Sequence, residues 1–245
     1  MLKKIVLLLF ILLVYVVKAQ NNFSGKVTYT KAIIANSEKV GEAKYVSYVN
    51  AMNEILRNIP YVLEFNKEAS YFYHIKPMAS DLNKKMVSKA ELLGKGKNQF
   101  YTNLQTNTTV EEVNRGSEKL LVSYPKYNFK LTTETKSIGG YKFYKATSQE
   151  VVEFSKIKKG YQDKVNDIVV WYTNEVPVSF GPLSVAGLPG LVLEMQYGST
   201  VYTATKIEFK KKNVAIQEIP EGKIVSKKEY DTQMVKSLSD AFGDF

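Results

Sequence analysis

The chemistry open to this chain is bounded by two counts: it has one histidine, His74, and no cysteine. A zinc site of His and Cys ligands is excluded on number alone, as are disulfides and thiolate nucleophiles. His74 lies in the aromatic run Tyr71-Phe72-Tyr73-His74, and no G-x-S-x-G elbow supplies a serine for it to activate. The run reads as a strand whose histidine is structural. No P-loop, no helix-opening G-x-G-x-x-G and no D-x-D-x-D-G calcium loop occurs. The sequence therefore assigns no catalytic residue, no metal ligand and no cofactor.

Carboxylates are what remains for acid-base work. Glu64, Glu134, Glu175, Glu194 and Glu208 fall on or beside segments with strand character. A glycosidase needs two such groups about 5 to 10 Å apart across a cleft, and spacing along the chain does not reveal that pairing. Alternation sets Glu194 between Leu193 and Met195 and Glu134 beside Thr133, which turns both away from an apolar face; single charges on a solvated sheet are expected. The formal charge is +10, and the densest basic cluster is Lys206, Lys210, Lys211 and Lys212. Such an excess attracts anionic headgroups, polyanionic glycans or nucleic acid. The cluster reads first as a solvated strand end, where lysine discourages edge pairing, and no nucleic-acid motif accompanies it.

Aromatic, proline and glycine residues are most concentrated over 171–191, WYTNEVPVSFGPLSVAGLPGL. Pro177 and Pro182 lack amide donors and fix φ, so 176–183 reads as an extended loop or an edge, not a central strand. Pro189-Gly190 suits the two central positions of a type II turn, with Gly190 at positive φ. Gly181 and Gly187, lacking side chains, admit close approach of a backbone, a ring or a ligand. Two readings stay open. In one, Leu188, Leu191 and Leu193 plug the end of a sheet beneath Trp171 and Phe180. In the other, Trp171, Tyr172, Phe180, Gly181, Pro182, Gly187, Leu188, Pro189, Gly190 and Leu191 rim an apolar binding groove.

A second motif precedes it: ETKSIGGYKFYKAT, residues 134–147, in which a strand turns through Gly139-Gly140 into another. Together with W-Y-T-x-x-V-P-x-x-F-G-P and G-L-P-G-L, this segment resembles the GLPGLI family of exported bacterial proteins. The resemblance implies an exported, β-rich domain and no particular reaction. Members usually hold a shorter connection before the tryptophan motif, often with a glycine-arginine pair; this chain has the lysine-rich stretch 151–167 and lacks the pair.

The elements that must carry these residues follow from periodicity. A first strand is expected over 24–34, with Val27 and Tyr29 on one face. Residues 44–58 carry Tyr45, Val46, Val49, Met52, Ile55, Leu56 and, just beyond, Ile59 at helical spacing, and Pro60 stops that helix. Segments 61–65 and 70–75 flank a polar turn as a hairpin. The polar stretch 76–97 reads as a loop. Further strands are expected at 99–104, 108–114, 120–123, 129–137, 141–147, 168–173, 191–195 and 201–209, with Asn114-Arg115-Gly116-Ser117 as one of the turns. Ser226-Lys227-Lys228-Glu229 is a capping box, opening a helix to about residue 242 that buries Tyr230, Met234, Val235 and Leu238. The fold class is mainly β (α+β): a curved, mostly antiparallel sheet with one or two packed helices, including a C-terminal one.

Lys3 and Lys4, the apolar run 5–17 and Val17-Lys18-Ala19 have the form of a signal peptide cleaved after Ala19. The run is shorter than the roughly 20 apolar residues that cross a bilayer. Without cysteine the chain carries no thiol for a lipid anchor. Loss of Lys3, Lys4 and Lys18 lowers the charge to about +7. Residues 20–245 contain no linker or repeat and are expected to form one domain. The function expected is a periplasmic, non-enzymatic binding or envelope-assembly factor. It would hold an apolar ligand, a peptide or an outer-membrane protein near the GLPGL loop, with peripheral membrane contact and without nucleic acid. The alternatives are a carboxylate-dependent hydrolase of an envelope polymer and a structural subunit of an envelope complex.

Overall fold

The computed structural model describes residues 24–36, 41–76, 84–92, 98–115, 118–157, 160 and 162–242. The leader segment with its expected cleavage at Ala19, and Gly116-Ser117 of the expected turn, lie outside the described residues. In chain order the elements are β1 (Ser24–Ile33), α1 (Ala43–Arg57), β2 (Tyr61–Phe65), β3 (Ala69–His74), α2 (Lys84–Leu92), β4 (Gln99–Asn103), β5 (Thr108–Arg115), β6 (Glu118–Ser123), β7 (Lys130–Ile138), β8 (Tyr141–Val152), α3 (Phe154–Ile157), β9 (Lys164–Thr173), β10 (Leu191–Tyr197), β11 (Thr200–Lys210), β12 (Lys223–Ser226) and α4 (Lys227–Phe242).

The twelve strands form one sheet in the order β12-β6-β5-β4-β3-β2-β1-β11-β10-β9-β8-β7. Every neighbouring pair is antiparallel except β12 and β6. The sheet is mainly β meander, with β1 as the strand that joins its two halves by pairing with both β2 and β11. It does not close, and β12 and β7 are its edges.

Local chemistry explains the turns. Gly139 and Gly140 both take positive φ, +60° and +86°, the pattern of a two-residue hairpin turn whose twist matches the flanking strands. Between β2 and β3 the Asn66 side chain accepts the amides of Glu68 and Ala69, each at 2.8 Å, a local turn that asparagine makes readily. The helix α1 stops at Arg57, ahead of Pro60. At α4 the capping box forms as the residue types require: the Ser226 amide and hydroxyl both donate to Glu229 at 2.8 Å, and the Glu229 amide donates back to Ser226 at 3.2 Å.

The core runs along one face of the sheet, with Val27 and Tyr29 of β1, Leu63 of β2, Phe72 of β3 and Val170 of β9 buried together with Met52 and Leu56 of α1. One lysine is inside it. Lys31 is fully buried, its Nζ 4.7 Å from the centre of the Tyr61 ring and 3.5 Å from the Ala90 carbonyl near the end of α2; ring quadrupole and helix end both favour a cation there.

Several expectations are corrected. Residues 76–97 are not all loop, because α2 forms within them. Its Met86, Val87 and buried Ala90 pack on the core, a short stripe that the surrounding lysines conceal in the sequence. Four helices are present among the described residues where one or two were expected. The stretch 151–167 holds strand ends, since β8 and β9 stay paired out to Val152 opposite Lys164. In α4, Val235 is buried but Met234 is 41% exposed, and the Leu238 side chain lies outside the described residues.

Candidate binding cleft

The run 171–191 turns inward. After β9 ends at Thr173, the chain folds on itself before entering β10, and it supplies its own backbone partners. The amides of Gly181, Gly187, Leu191 and Val192 donate to Val185, Ser179, Val176 and Phe180 at 2.9–3.1 Å. Phe180 and Leu191 are fully buried and Val176, Val178, Leu183 and Leu188 nearly so. Leu183 takes a φ of 56°, a left-handed conformation that costs about 1 to 2 kcal/mol for a side chain with a Cβ. The Tyr29 hydroxyl donates to the Val192 carbonyl at 2.6 Å, tying the loop's exit to the central strand.

The glycine roles are exchanged relative to expectation. Gly187 has the positive φ, +88°, whereas Gly190 is not among the positive-φ residues. A Cβ on Gly190 would lie 2.0 Å from the Thr173 carbonyl oxygen. Gly190 is therefore a close-approach glycine and Gly187 the conformational one, the opposite of a type II turn centred on Pro189-Gly190.

Of the residues singled out in this run, Tyr172, Phe180, Gly181, Pro182, Leu188, Gly190 and Leu191 are buried, Trp171 is half-buried, and Gly187 and Pro189 are exposed. The Trp171 ring carries Lys136 Nζ 4.2 Å from its centre, and the same ammonium donates to Glu194 at 2.8 Å. Beside the run, a groove of about 300 Å³ lies between the β7–β8 turn and β10–β11, with Ile138, Phe143, Leu193 and Ile207 among its walls and Lys206 on its rim.

The carboxylates read from the sequence serve separate partners. Glu64 accepts from the Tyr73 hydroxyl at 3.2 Å, and Glu175 from the Lys142 amide at 2.8 Å. Glu134, Glu194 and Glu208 pair with Lys145, Lys136 and Lys206 at 2.8, 2.8 and 3.1 Å. His74 packs with its ring centre 6.2 Å from that of Tyr61. Burial and the Glu64 carboxylate push the Tyr73 phenol up to about 12.

The buried acids are others. Glu111 and Glu112, consecutive on β5, point to opposite faces as alternation demands. Glu112 takes the Tyr101 hydroxyl at 3.0 Å and Lys119 at 3.1 Å. Glu111 accepts from the Tyr124 hydroxyl and from Asn98. Glu150 of β8 accepts from the Tyr197 hydroxyl and lies 3.6 Å from Lys227 Nζ, which also bridges to Asp231. Lys227 Nζ stands 5.8 Å from the centre of the Tyr124 ring, and Ser184 of the inward run donates to the Tyr127 hydroxyl at 3.0 Å. Burial first, then Glu111 and Glu150, raise the Tyr124 phenol; burial first, then Glu150, raises those of Tyr127 and Tyr197. All three phenols are neutral at physiological pH, Tyr124 and Tyr197 donating and Tyr127 accepting.

Tyr124, Tyr127, Glu150, Lys227 and Asp231 of this network line a cleft of about 1070 Å³. One wall is the connection after β6, with Tyr124, Lys126 and Tyr127. The second is the end of β8, from Ser148 to Val152. The third is the first turn of α4, with Lys227 and Asp231. Strands β6 and β8 stand near opposite ends of the strand order, so the cleft is where the two flanks of the sheet converge on α4. No signal in the sequence joins segments so far apart; the one local hint was the Glu111-Glu112 pair inside a strand, which obliges one acid to face inward. Among the described residues no group of three or more His, Asp or Glu side chains is disposed to hold a metal ion, and no helix is long and apolar enough to cross a membrane.

Fold and site together define a mainly antiparallel β protein with an open cleft lined by tyrosine, charged and aliphatic side chains. A family model described as "Protein of unknown function (Porph_ging)" matches residues 129–194, which span the β7–β8 hairpin and the whole inward run, the two segments behind the family resemblance in the sequence. No curated protein matches the chain. Two structures of PNGF-II are similar: in the P21 space group at 19% identity with a TM-score of 0.50, and in the C2 space group at 18% with 0.49. They cover 88% and 87% of this chain but 34% and 32% of PNGF-II. The chain thus spans about a third of the PNGF-II length, and the likeness is one of fold.

Proposed function

We propose that this chain is an exported, non-enzymatic binding protein whose ligand occupies the cleft between the β6–β7 connection, the end of β8 and α4. The observation that carries the proposal is the cleft itself: about 1070 Å³, at the upper end of the size range of ligand sites, with Tyr124, Tyr127, Glu150, Lys227 and Asp231 among its lining. The signal-like segment 1–19 supports export, and the Porph_ging match supports kinship with proteins to which no reaction is assigned. The hydrolase alternative is the weaker reading, because Glu150 and Asp231 are both ion-paired to the Lys227 ammonium, which favours the ionised form of each and leaves neither poised as a general acid.

A second reading keeps the ligand at the signature, in the groove of about 300 Å³ flanked by Phe143 and Leu193. It suits a single apolar side chain or the end of an acyl chain. Native mass spectrometry of the protein isolated from its own envelope separates the two. Asn128→Trp, at an exposed cleft residue, is expected to eliminate the co-purified mass, while Leu193→Trp leaves it. The reverse result transfers the site to the groove.

A further inference from the structure

Charge in the cleft is unevenly satisfied. Its lining sets four lysines, Lys126, Lys156, Lys227 and Lys228, against three acids, Glu150, Glu153 and Asp231. Every one of those acids is paired: Glu150 and Asp231 with Lys227, and Glu153 with Lys156. Lys126, on the connection after β6, and Lys228, on the first turn of α4, are exposed and have no ion pair among the described residues. The cleft thus offers two uncommitted cations on different walls and, four against three, a net charge of +1.

We infer, resting on the cleft as the binding site, that it takes an acidic oligosaccharide, a hydroxyl-rich chain with carboxylates on only some of its sugars. Lys126 and Lys228 would meet those carboxylates as charge-assisted donors. The exposed Asn128 side chain offers sugar hydroxyls both a donor and an acceptor. Gln149, whose Nε2 donates to Asp167 at 2.8 Å, still offers its oxygen. Half-buried Tyr127 adds ring surface for the apolar face of a sugar. Other ligands fit less well. The aliphatic lining is Pro125, Val151 and Val152, too little for an acyl chain. A peptide strand has no clear edge to join, because the Ser148 hydroxyl donates to the Asn128 carbonyl at 3.0 Å and brings the connection after β6 against β8. A nucleic acid, charged at every phosphate, would meet three carboxylates.

The test titrates the full mature chain with size-matched probes, followed by backbone-amide NMR: hyaluronan hexasaccharide, chitohexaose, hexaglutamate and hexathymidylate. Hyaluronan, with a carboxylate on alternate sugars, is expected to shift amides of 124–128, 148–153 and 226–232 and to bind most tightly. Lys126→Gln with Lys228→Gln should weaken it by about tenfold or more, through loss of the charge-assisted contacts, and reduce it to the level of chitohexaose while amides outside the cleft stay fixed. If chitohexaose binds the cleft as tightly as hyaluronan, or the double variant binds hyaluronan undiminished, the acid-sugar inference falls and the cleft reading stands. A preference for hexaglutamate or hexathymidylate at the same amides has the same consequence. If no probe shifts a cleft amide, the inference falls, and the co-purified mass alone decides the cleft reading. Should the saccharide move Ile138, Phe143 and Leu193 in place of the cleft residues, both fall.

Discussion

The inward run 171–191 and the cleft are both irregular regions set against the same sheet, and they solve opposite problems. The run satisfies its own amides and fills the space beneath it with Phe180, Leu188 and Leu191. The cleft is open to solvent and lines itself with tyrosine, lysine and carboxylate. The run dense in glycine, proline and aromatics packs a turn tightly, whereas the cleft is assembled from residues as far apart as Tyr124 and Lys227. The difference teaches that compositional density marks difficult backbone geometry, and that a cleft is made where side chains of distant segments are brought together.

That contrast can be broken by substitution. The largest effect belongs to Gly190→Val, which drives a Cβ to within 2.0 Å of the Thr173 oxygen; a loss of about 3 kcal/mol or more, or failure to accumulate as folded protein, is expected in thermal unfolding. Phe180→Ala should cost about 3 to 5 kcal/mol through the cavity it leaves, with ligand binding by the folded fraction unchanged. A folded Phe180→Ala protein that has lost its ligand would move function back to the run.

On the cleft side the effects are smaller in stability and larger in binding. Lys227→Met leaves Glu150 and Asp231 without their shared cation; since these side chains are 10% and 19% exposed, about 1 to 2 kcal/mol is expected. It should appear in hydrogen exchange as faster opening of α4, not of β9 or β10. Tyr127→Phe removes only the hydroxyl bonded to Ser184 and should cost no more than about 1 kcal/mol. A larger loss would mean that the cleft floor is as structural as the run.

The smallest effect is one of pH. The Ser226 amide, and then its hydroxyl, hold the Glu229 carboxyl below its ordinary 4.5. A depressed folded value means that the capping box contributes fully above 4.5 and loses that contribution as pH falls through the folded value. Amide shifts of residues 226–229 should report fraying of α4 in acid while those of the inward run stay fixed. Simultaneous movement of both would show that the two regions open together.

What was legible depended on how local the cause was. The β1 alternation, the Asn66 turn, the Gly139-Gly140 hairpin and the Ser226–Glu229 box all arise within a few residues, and each formed where its residue types required. The α2 helix was hidden because its apolar stripe is only Met86, Val87 and Ala90 among lysines. The glycine exchange was hidden because a turn type depends on which chain passes beside it: Gly190 lacks a Cβ on account of Thr173, seventeen positions earlier. In the cleft, Tyr124, Tyr127, Glu150 and Lys227 carry no shared motif and no common period.

By itself, then, the sequence determined that this is a strand-rich chain with no thiol and a single imidazole, that proline and glycine force a folded-back connection over 171–191, and that a capped helix opens at Ser226. These are consequences of backbone sterics and side-chain valence, which act within a turn or two. Only the tertiary structure decided that the connection points into the core, that β8 runs on past its pairing with β7, and that Glu111, Glu150 and Lys227 meet tyrosines from distant strands. Those depend on strand register and on where the flanks of an unclosed sheet come together, and register is set by the pairing of residues that the sequence keeps far apart.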